Sequence, residues 1–514
     1  MILVPSHMIP KIDRFASQEL GISTLTLMDR AGEAVARTVR EHVKEGSKVA
    51  VFAGKGNNGG DGYAAALKLM SDYRVTVYDV FSQGQRTEEG KYFLREYSSK
   101  SGVIEPLTFD ENQLNNITSS HCIIDAVFGT GYTGELPEKV CQLIDIICTL
   151  DDAVKVAIDV PLGIDADFGT LIIPKTYTAT ATVVLGFVKT GLVSYPARKH
   201  IGKLVYDNLG LQKEDIIERF GIKDYYIDYE LAASLVPHRT KDSHKGTYGK
   251  LLVITGSSTY PGAAHLTLEA ALRSGVGYVT YLGEKEMCDS LLQKYPEALY
   301  RPLSLSDITN SDLAEFSRKY TAILIGSGLG GDNSGGLYHI LEQLLKNEGC
   351  PLVLDADAIN TLAKYPEASC NLIANSPREV ILTPHPLEFA RLVDLPLSLV
   401  TDDRLSLAKT FASENSCTLV LKGAGTVVAD GTDTYINSSG SSALAKAGSG
   451  DVLAGHLAAL VALGMSPVRA SALAVYLHGA AADSLSKELS EFGVIPSDLP
   501  LEIAKQIAKL QNNS

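Results

Sequence analysis

The chain has 514 residues, of which 45% are hydrophobic and 21% charged, the make-up of a globular protein too long for one ordinary core. Its net charge of −14 argues against nonspecific binding to nucleic acid or to an anionic membrane, yet leaves room for a nucleotide held by backbone N–H groups. The seven cysteines form no CxxC pair, no apolar run is long enough to span a bilayer, and residues 1–8 are too short and uncharged for a signal peptide, so a cytoplasmic protein with reduced thiols is expected.

In chain order, Thr24–Val43 reads as an amphipathic helix, with Leu27, Ala31, Val35 and Val39 at near-helical spacing. Lys48–Ala53 is a buried-type strand. It runs into Gly54-Lys55-Gly56-Asn57-Asn58-Gly59-Gly60-Asp61-Gly62, read as a turn, and a helix is expected over Tyr63–Met70. Strand, glycine-rich turn and helix form the arrangement that offers N–H groups to a pyrophosphate, although the pattern is neither GxGxxG nor a Walker loop. Asn57 and Asn58 can donate amides to a ligand or give carbonyls to a hard cation.

Further strands are expected at Arg74–Phe81, His121–Phe128, Val154–Asp159 and Ala181–Phe187. Strands alternating with helices imply a parallel, doubly wound sheet that binds ligands at the carboxyl ends of its strands. Asp125 and Asp159 stand at or near two such ends, beside the glycines of Gly129-Thr130-Gly131, Gly134-Glu135 and Pro161–Asp165. A lone aspartate there is often a helix cap or turn residue; two beside three glycine loops favour a site. Lys189, after the last strand, could help electrostatically, although a solvated surface lysine is the favoured reading.

The motifs AGKGNNGGDGYAAA, DAVFGTG and DVPLGIDADFG resemble the NAD(P)H-hydrate epimerase domain over roughly residues 10–215. The resemblance implies interconversion of the R and S forms of a hydrated nicotinamide cofactor. It implies substrate contacts from Asn57, Asn58, Gly59, Gly60 and Asp61, and from Gly129, Thr130, Gly131, Gly134 and Glu135, with Asp159 as acid/base. It also implies a potassium ion held by Asn58, Asp125 and the backbone of Leu162, a position where such domains usually carry serine.

Charges, glycine and tyrosines mix over Asp207–Tyr229, which places a boundary near residue 220: one domain over 1–220, a second over 221–514. Pro237–Gly249 reads equally as a flexible linker or as the opening loop of the second domain. Strands follow at Lys250–Thr255, Val276–Leu282, Ala322–Ile325, Leu352–Leu354, Val380–Thr383 and Thr418–Leu421, with a helix over His265–Ser274. A hairpin turning at Asp430-Gly431 joins Thr426–Ala429 to Thr434–Ile436. Gly448-Ser449-Gly450-Asp451 then opens an apolar helix, and a helix pair is expected to end near Glu488. A glycine pair before a helix admits a phosphate, and a carboxylate there can take a proton from a hydroxyl. Taken singly, His385 between two prolines is best read as a satisfied turn histidine, Asp355 and Asp357 could be turn and cap residues, and Lys422 could be a surface charge, although a lysine at a strand end beside Gly-Ala-Gly suits a phosphate. Together, five such loops suit one pocket.

The motifs HKGTYGKLLVITGSS, IGSGLGGD, LDADAIN, LTPHPLEFARL, LKGAGTVVADG and AKAGSGD resemble the ADP/ATP-dependent NAD(P)H-hydrate dehydratase domain, which is ribokinase-like, over roughly 225–510. The implied fold is α/β throughout: a Rossmann-like doubly wound domain followed by a ribokinase-like one. The order of the two is that of the bifunctional nicotinamide nucleotide repair family. The resemblance implies that Ala263, Gly328, His385 and Asp451 contact the hydrated cofactor. It assigns ADP to Lys422, Gly423, Ala424, Gly425 and Thr426, and to Ser441, Ser442, Ala443, Leu444, Ala445, Lys446, Ala447, Gly448, Ser449 and Gly450. Mg2+ accompanies the ADP, and a homo-oligomer, tetramer or higher, is implied. Ser327 replaces a frequent proline and Leu387 a common glycine, changes expected to alter loop stiffness more than chemistry. A ribokinase-class kinase fused to a nucleotide-binding domain, and a noncatalytic nucleotide sensor, are the competing functions.

Overall fold

The short apolar runs of the sequence become the strands of two sheets, one in each of two units, residues 2–224 and residues 225–514 together with Met1. The structure is a computed structural model that describes residues 1–82, 84–132, 134–330 and 334–512. Residues 331–332, the end of the expected IGSGLGGD loop, lie outside that description.

The first sheet has seven strands: β1 (Lys48–Ala53), β2 (Arg74–Asp79), β3 (Val103–Pro106), β4 (Cys122–Ala126), β5 (Val154–Ile158), β6 (Ala181–Leu185) and β7 (Lys203–Asp207). Their order is β3-β2-β1-β4-β5-β6-β7, and every pairing is parallel. The interior strands are the apolar runs visible in the sequence, since a strand covered on both faces must be apolar throughout. The outer strands β3 and β7 were not anticipated. Their residues are mostly half-buried or exposed, so neither needs a continuous apolar run.

A correction concerns the glycine-rich stretch after β1. It is not a turn preceding a helix at Tyr63; the helix spans Asn57–Leu69 and contains the asparagines and three of the glycines. The glycines serve close packing. A Cβ on Gly59 would lie 2.0 Å from the Gly54 carbonyl oxygen, and one on Gly62 would lie 2.5 Å from the Ala126 Cβ. The helix therefore sits almost on the loop that leads into it, and no side chain caps its N-terminus at Gly56.

The second sheet has ten strands: β8 (Asp224–Ile227), β9 (Lys250–Ile254), β10 (Tyr278–Gly283), β11 (Leu299–Pro302), β12 (Ala322–Ile325), β13 (Leu352–Leu354), β14 (Val380–Leu382), β15 (Thr418–Leu421), β16 (Val427–Ala429) and β17 (Thr434–Asn437). The order is β11-β10-β9-β12-β13-β14-β15-β16-β17-β8. Pairings from β11 to β15 are parallel, and β15, β16 and β17 form the expected antiparallel meander. The short edge strands β8 and β11 are again the ones without a sequence signal. Helix Pro261–Arg273 starts four residues earlier than expected, with proline in its first turn where a missing N–H costs nothing. The last helices span Pro467–Gly493 and Leu499–Asn512, beyond the expected end near Glu488.

Helix Ser449–Ala462 is buried along nearly its whole length, as an all-apolar helix must be. It carries His456, and Pro467–Gly493 carries His478; both are buried, and neither Nε2 has a partner among the described residues. Burial pushes His456 down to about 3, helped by the nearby His478, which burial pushes down to about 4. The unfolded chain protonates both near 6.5, so below that pH it binds two protons that the folded unit refuses. Asp451, raised by burial to about 6, opposes this with one proton. The expected net slope is a loss of about 1.4 kcal/mol of stability per pH unit as pH falls from about 6 to 4. Denaturant midpoints of the second unit measured across that range should fall with pH; midpoints that hold level or rise would contradict the account.

Candidate functional sites at the two strand-order reversals

In each sheet the strand order reverses beside one central strand. For β1 the neighbours are β2 and β4, and for β9 they are β10 and β12. The loops leaving two adjacent strands part at such a point and open a crevice.

In the first unit that crevice is a cavity of about 500 Å³. Its walls include Lys55–Asn58 and Asp61 from the turn and helix after β1, and Val127–Tyr132 after β4. Asp159 and Lys189 line it from the ends of β5 and β6, and Asp13 comes from helix Ile9–Gln18. Gly129, Thr130 and Gly131 line the cavity; Gly134 and Glu135 do not. Asp159 has φ +68, a left-handed conformation that an aspartate adopts at a cost of about 1–3 kcal/mol and that collects at functional sites. Its carboxylate is ion-paired with Lys189, whose Nζ also donates to the Leu185 carbonyl at 3.1 Å. Lys189 is only 1% exposed, so the surface reading of this lysine is corrected. Burial lifts Asp61 well above the carboxylate range, assisted by the charges of Asp159 and Asp13 and opposed by Lys189. Burial likewise lifts Asp13 to about 6, against the pull of Lys189.

The residues of the potassium expectation lie under one wall. Asp125 is buried, and its carboxylate accepts from the N–H groups of Leu162 at 2.8 Å and Val127 at 3.2 Å and from the Tyr177 hydroxyl at 2.5 Å. Burial raises it to about 6 despite those bonds, which leaves a buried anion at neutral pH with no cationic side chain bonded to it. A buried charge without a counter-ion is costly, so this environment suits a cation. Asn58 donates its amide N–H to the Phe128 carbonyl at 2.9 Å. Leu162 has its side chain in the core, so only its backbone can serve; its carbonyl accepts from Thr176 at 2.5 Å and retains a second lone pair. The donor set of carboxylate, amide and carbonyl fits a hard monovalent ion.

In the second unit, Gly256 N–H donates to the Ser327 carbonyl at 2.7 Å across the reversal. Ala263 and Gly328 face each other so closely that a Cβ on Gly328 would lie 2.6 Å from that of Ala263. After β13, Asp355 is buried and accepts from Lys422 Nζ at 2.9 Å, Thr383 at 2.7 Å and Ser327 at 2.8 Å. Lys422 is thus not a surface charge. Burial pulls its ammonium down, but Asp355, Glu388 and Asp451 together hold it above the usual lysine value.

A Cβ on Gly450 would lie 3.6 Å from Lys422 Nζ, which places the lysine against the helix start. Gly448, with φ +99, turns the chain into that helix as only glycine does without strain. Asp451 follows in the first turn. Burial raises it to about 6, reinforced by Asp355 and offset by Lys422 and by the nearby Ser327 hydroxyl, whose proton goes to Asp355. Ser327 therefore stands between two carboxylates, a chemical role where only loop stiffness was expected.

His385 caps helix Pro386–Leu392. Its Nδ1 accepts from the N–H groups of Leu387 and Glu388, both at 3.2 Å, while its side chain remains 47% exposed. The turn reading accounts for Nδ1, Nε2 lies 3.4 Å from Glu388 Oε1, and the rest of the half-exposed ring is open to a ligand. Not every expected nucleotide residue faces the same way. Lys446 donates to the carbonyls of Phe492 and Val494, and Ser442 to Glu491. Arg404, which sequence reasoning did not select, donates to the Ala424 carbonyl at 2.5 Å and braces the Lys422–Thr426 loop.

Two α/β units, each with a glycine-assisted crevice and a buried carboxylate paired with a lysine, define a two-domain enzyme that works on nucleotides. A family model described as NAD(P)H-hydrate dehydratase matches residues 251–508, and one described as the YjeF-related protein N-terminus matches residues 24–191. The chain is 33% identical to the bifunctional NAD(P)H-hydrate repair enzyme of Moorella thermoacetica, over 97% of this chain and 95% of that one. It is 34% identical to the repair enzyme of Escherichia coli, over 95% and 90%. A solved ribokinase-like superfamily protein from Enterococcus faecalis, 27% identical, superposes on 56% of this chain and 97% of its own with a TM-score of 0.50. The chain belongs to the bifunctional NAD(P)H-hydrate repair enzymes, and its second unit has the ribokinase-like fold.

Removing the Ser327 hydroxyl takes away a nearby dipole that favours ionised Asp451. Ser327→Ala is expected to move the acidic limb of the second unit's pH–rate profile upward from about 6, because a base must be ionised to act. A profile unchanged by the substitution would remove Ser327 from the account.

Proposed function

We propose that the first domain, residues 1–220, epimerises the R and S forms of hydrated NAD(P)H. The second, residues 221–514, dehydrates the S form at the expense of ADP, giving AMP and phosphate. The observation that carries the second half is the Asp451–Lys422–Asp355 cluster at an open helix start. Hydrated NAD(P)H bears a hydroxyl on a saturated ring carbon next to nitrogen, and hydroxide leaves poorly. Phosphoryl transfer converts it into phosphate, which leaves readily as the nitrogen lone pair restores the ring.

Asp451, ionised near neutrality, accepts the hydroxyl proton. The N–H groups of Gly448–Gly450 and the Lys422 ammonium stabilise the charge on the transferring group. Mg2+ would accompany the nucleotide and neutralise phosphate charge. Lys422–Thr426 and Ser441–Gly450 form the ADP wall. Ala263, Gly328 and His385 form the substrate wall.

In the first domain, the uncapped helix start at Asn57–Asp61 and the Gly129–Gly131 loop hold the substrate, and Asp159 exchanges protons at the hydrated carbon. Asn58, Asp125 and the Leu162 carbonyl hold potassium, which would offset the buried Asp125 charge. All seven cysteines are free, in keeping with a reducing, cytoplasmic setting, and no helix among the described residues is long and apolar enough to cross a membrane. A homo-oligomer is part of this reading on family resemblance alone.

Asp451→Asn is expected to retain ADP binding and to lose dehydration by at least about 10²-fold, while Asp159→Asn is expected to lose epimerisation and leave dehydration of the S form intact. Recovery of NADH absorbance from hydrated NADH, ADP and Mg2+ measures the second reaction. A stable phosphorylated product without NADH would instead support a kinase, binding without turnover a sensor, and near-normal turnover by Asp451→Asn would sink the assignment.

A further inference from the structure

Epimerisation at a carbon that bears a hydroxyl and adjoins nitrogen has a strict proton requirement. The C–O bond breaks, the nitrogen lone pair forms a C=N iminium, and the hydroxyl leaves as water after gaining one proton. Water then adds to the opposite face, forming a new C–O bond while the iminium electrons return to nitrogen, and this water must lose one proton. A donor is therefore needed on one face and an acceptor on the other. In the reverse direction the two exchange roles. One carboxylate cannot occupy both faces, so Asp159 needs a partner.

The cavity of the first domain offers few candidates. Glu89 is bonded to Thr24, and Lys55 is exposed. Lys189 is committed to Asp159 and the Leu185 carbonyl. Asp61 sits on the first turn of helix Asn57–Leu69, in the wall that holds the substrate with Asn57 and Asn58, and burial pushes its carboxyl upward. Asp13 remains. It reaches the cavity from helix Ile9–Gln18, a different element from the β5 end that carries Asp159, and no hydrogen bond or ion pair occupies its carboxyl among the described residues. It also precedes the residues that the family model matches, 24–191.

We propose that Asp13 is the second proton-transfer residue of the epimerase site, working on the face of the substrate ring opposite Asp159, with one proton shared between the two. This rests on the reading of the first domain as an epimerase. The groups facing Asp13 are Lys189, Asp159 and Asp61, and their balance together with burial leaves Asp13 near 6, where both of its forms are populated close to neutrality. A donor and acceptor that must alternate needs that property.

The test uses the full chain and pure R or S hydrated NADH, with epimer interconversion followed by chromatography above the enzyme-free rate. Asp13→Asn should lower kcat by at least about 10²-fold in both directions with KM within about twofold, and the alkaline fall of kcat that reflects Asp13 losing its proton should vanish. Asp13→Glu should recover part of the rate and restore the pH dependence. Dehydration of the S form by the second domain should be unchanged, which shows that the chain is intact, while the unchanged KM reports that the first domain is folded and binds substrate. Epimerisation by Asp13→Asn within about threefold of the parent overturns the proposal. So does a loss expressed in KM with the pH dependence intact, since that marks a structural role. If the parent protein itself does not interconvert the epimers, the epimerase reading falls and this inference with it.

Discussion

Everything functional in this chain hangs on a reversal of strand order. A parallel sheet wound in one direction closes its edge with helices. Where winding changes direction, the helices on either side go to opposite faces and the loops between them separate. Here that happens beside β1 in one unit and beside β9 in the other. The cavity of the first unit lies between the loops after β1 and β4. In the second unit the loops after β9 and β12 meet at the Gly256–Ser327 and Ala263–Gly328 contacts. Glycines accumulate there because backbone must pass close to backbone.

Both crevices use the same electrostatic device. Several carboxylates are placed where water is scarce, and one lysine offsets part of their charge: the buried Lys189 with Asp159, the half-buried Lys422 with Asp355. Burial raises the carboxylates that stay outside the ion pair, so Asp13, Asp61 and Asp451 become readier to carry protons. One fold principle thus yields proton-transfer groups near neutrality in two unrelated pockets.

The interior of both sheets was legible because a strand covered on both faces must be apolar. The edge strands β3, β7, β8 and β11 were not, since their environment does not demand it. The glycine-rich stretch at Asn57–Gly62 was located but given the wrong shape: glycines ordinarily break helices, and only the partner surface, Gly54 and Ala126, explains why they are tolerated. Asp159 and Asp451 stood out because they end strands or start helices next to glycine. Lys189 sits thirty residues from its partner, and Asp13 is one carboxylate on an amphipathic helix, so no local pattern distinguishes either from a solvated charge. Ser327 was visible as a departure from the family, but the two carboxylates it serves come from distant segments.

The two units occupy one continuous chain, with the division at residues 224 and 225. Each round of translation consequently yields one copy of each catalytic centre, whatever the expression level. If the two steps proceed as proposed, the capacity to convert the unusable epimer rises and falls with the capacity to consume the usable one. A cell carrying this protein cannot accumulate one activity without the other, a fixed ratio that two separate genes would have to achieve by regulation.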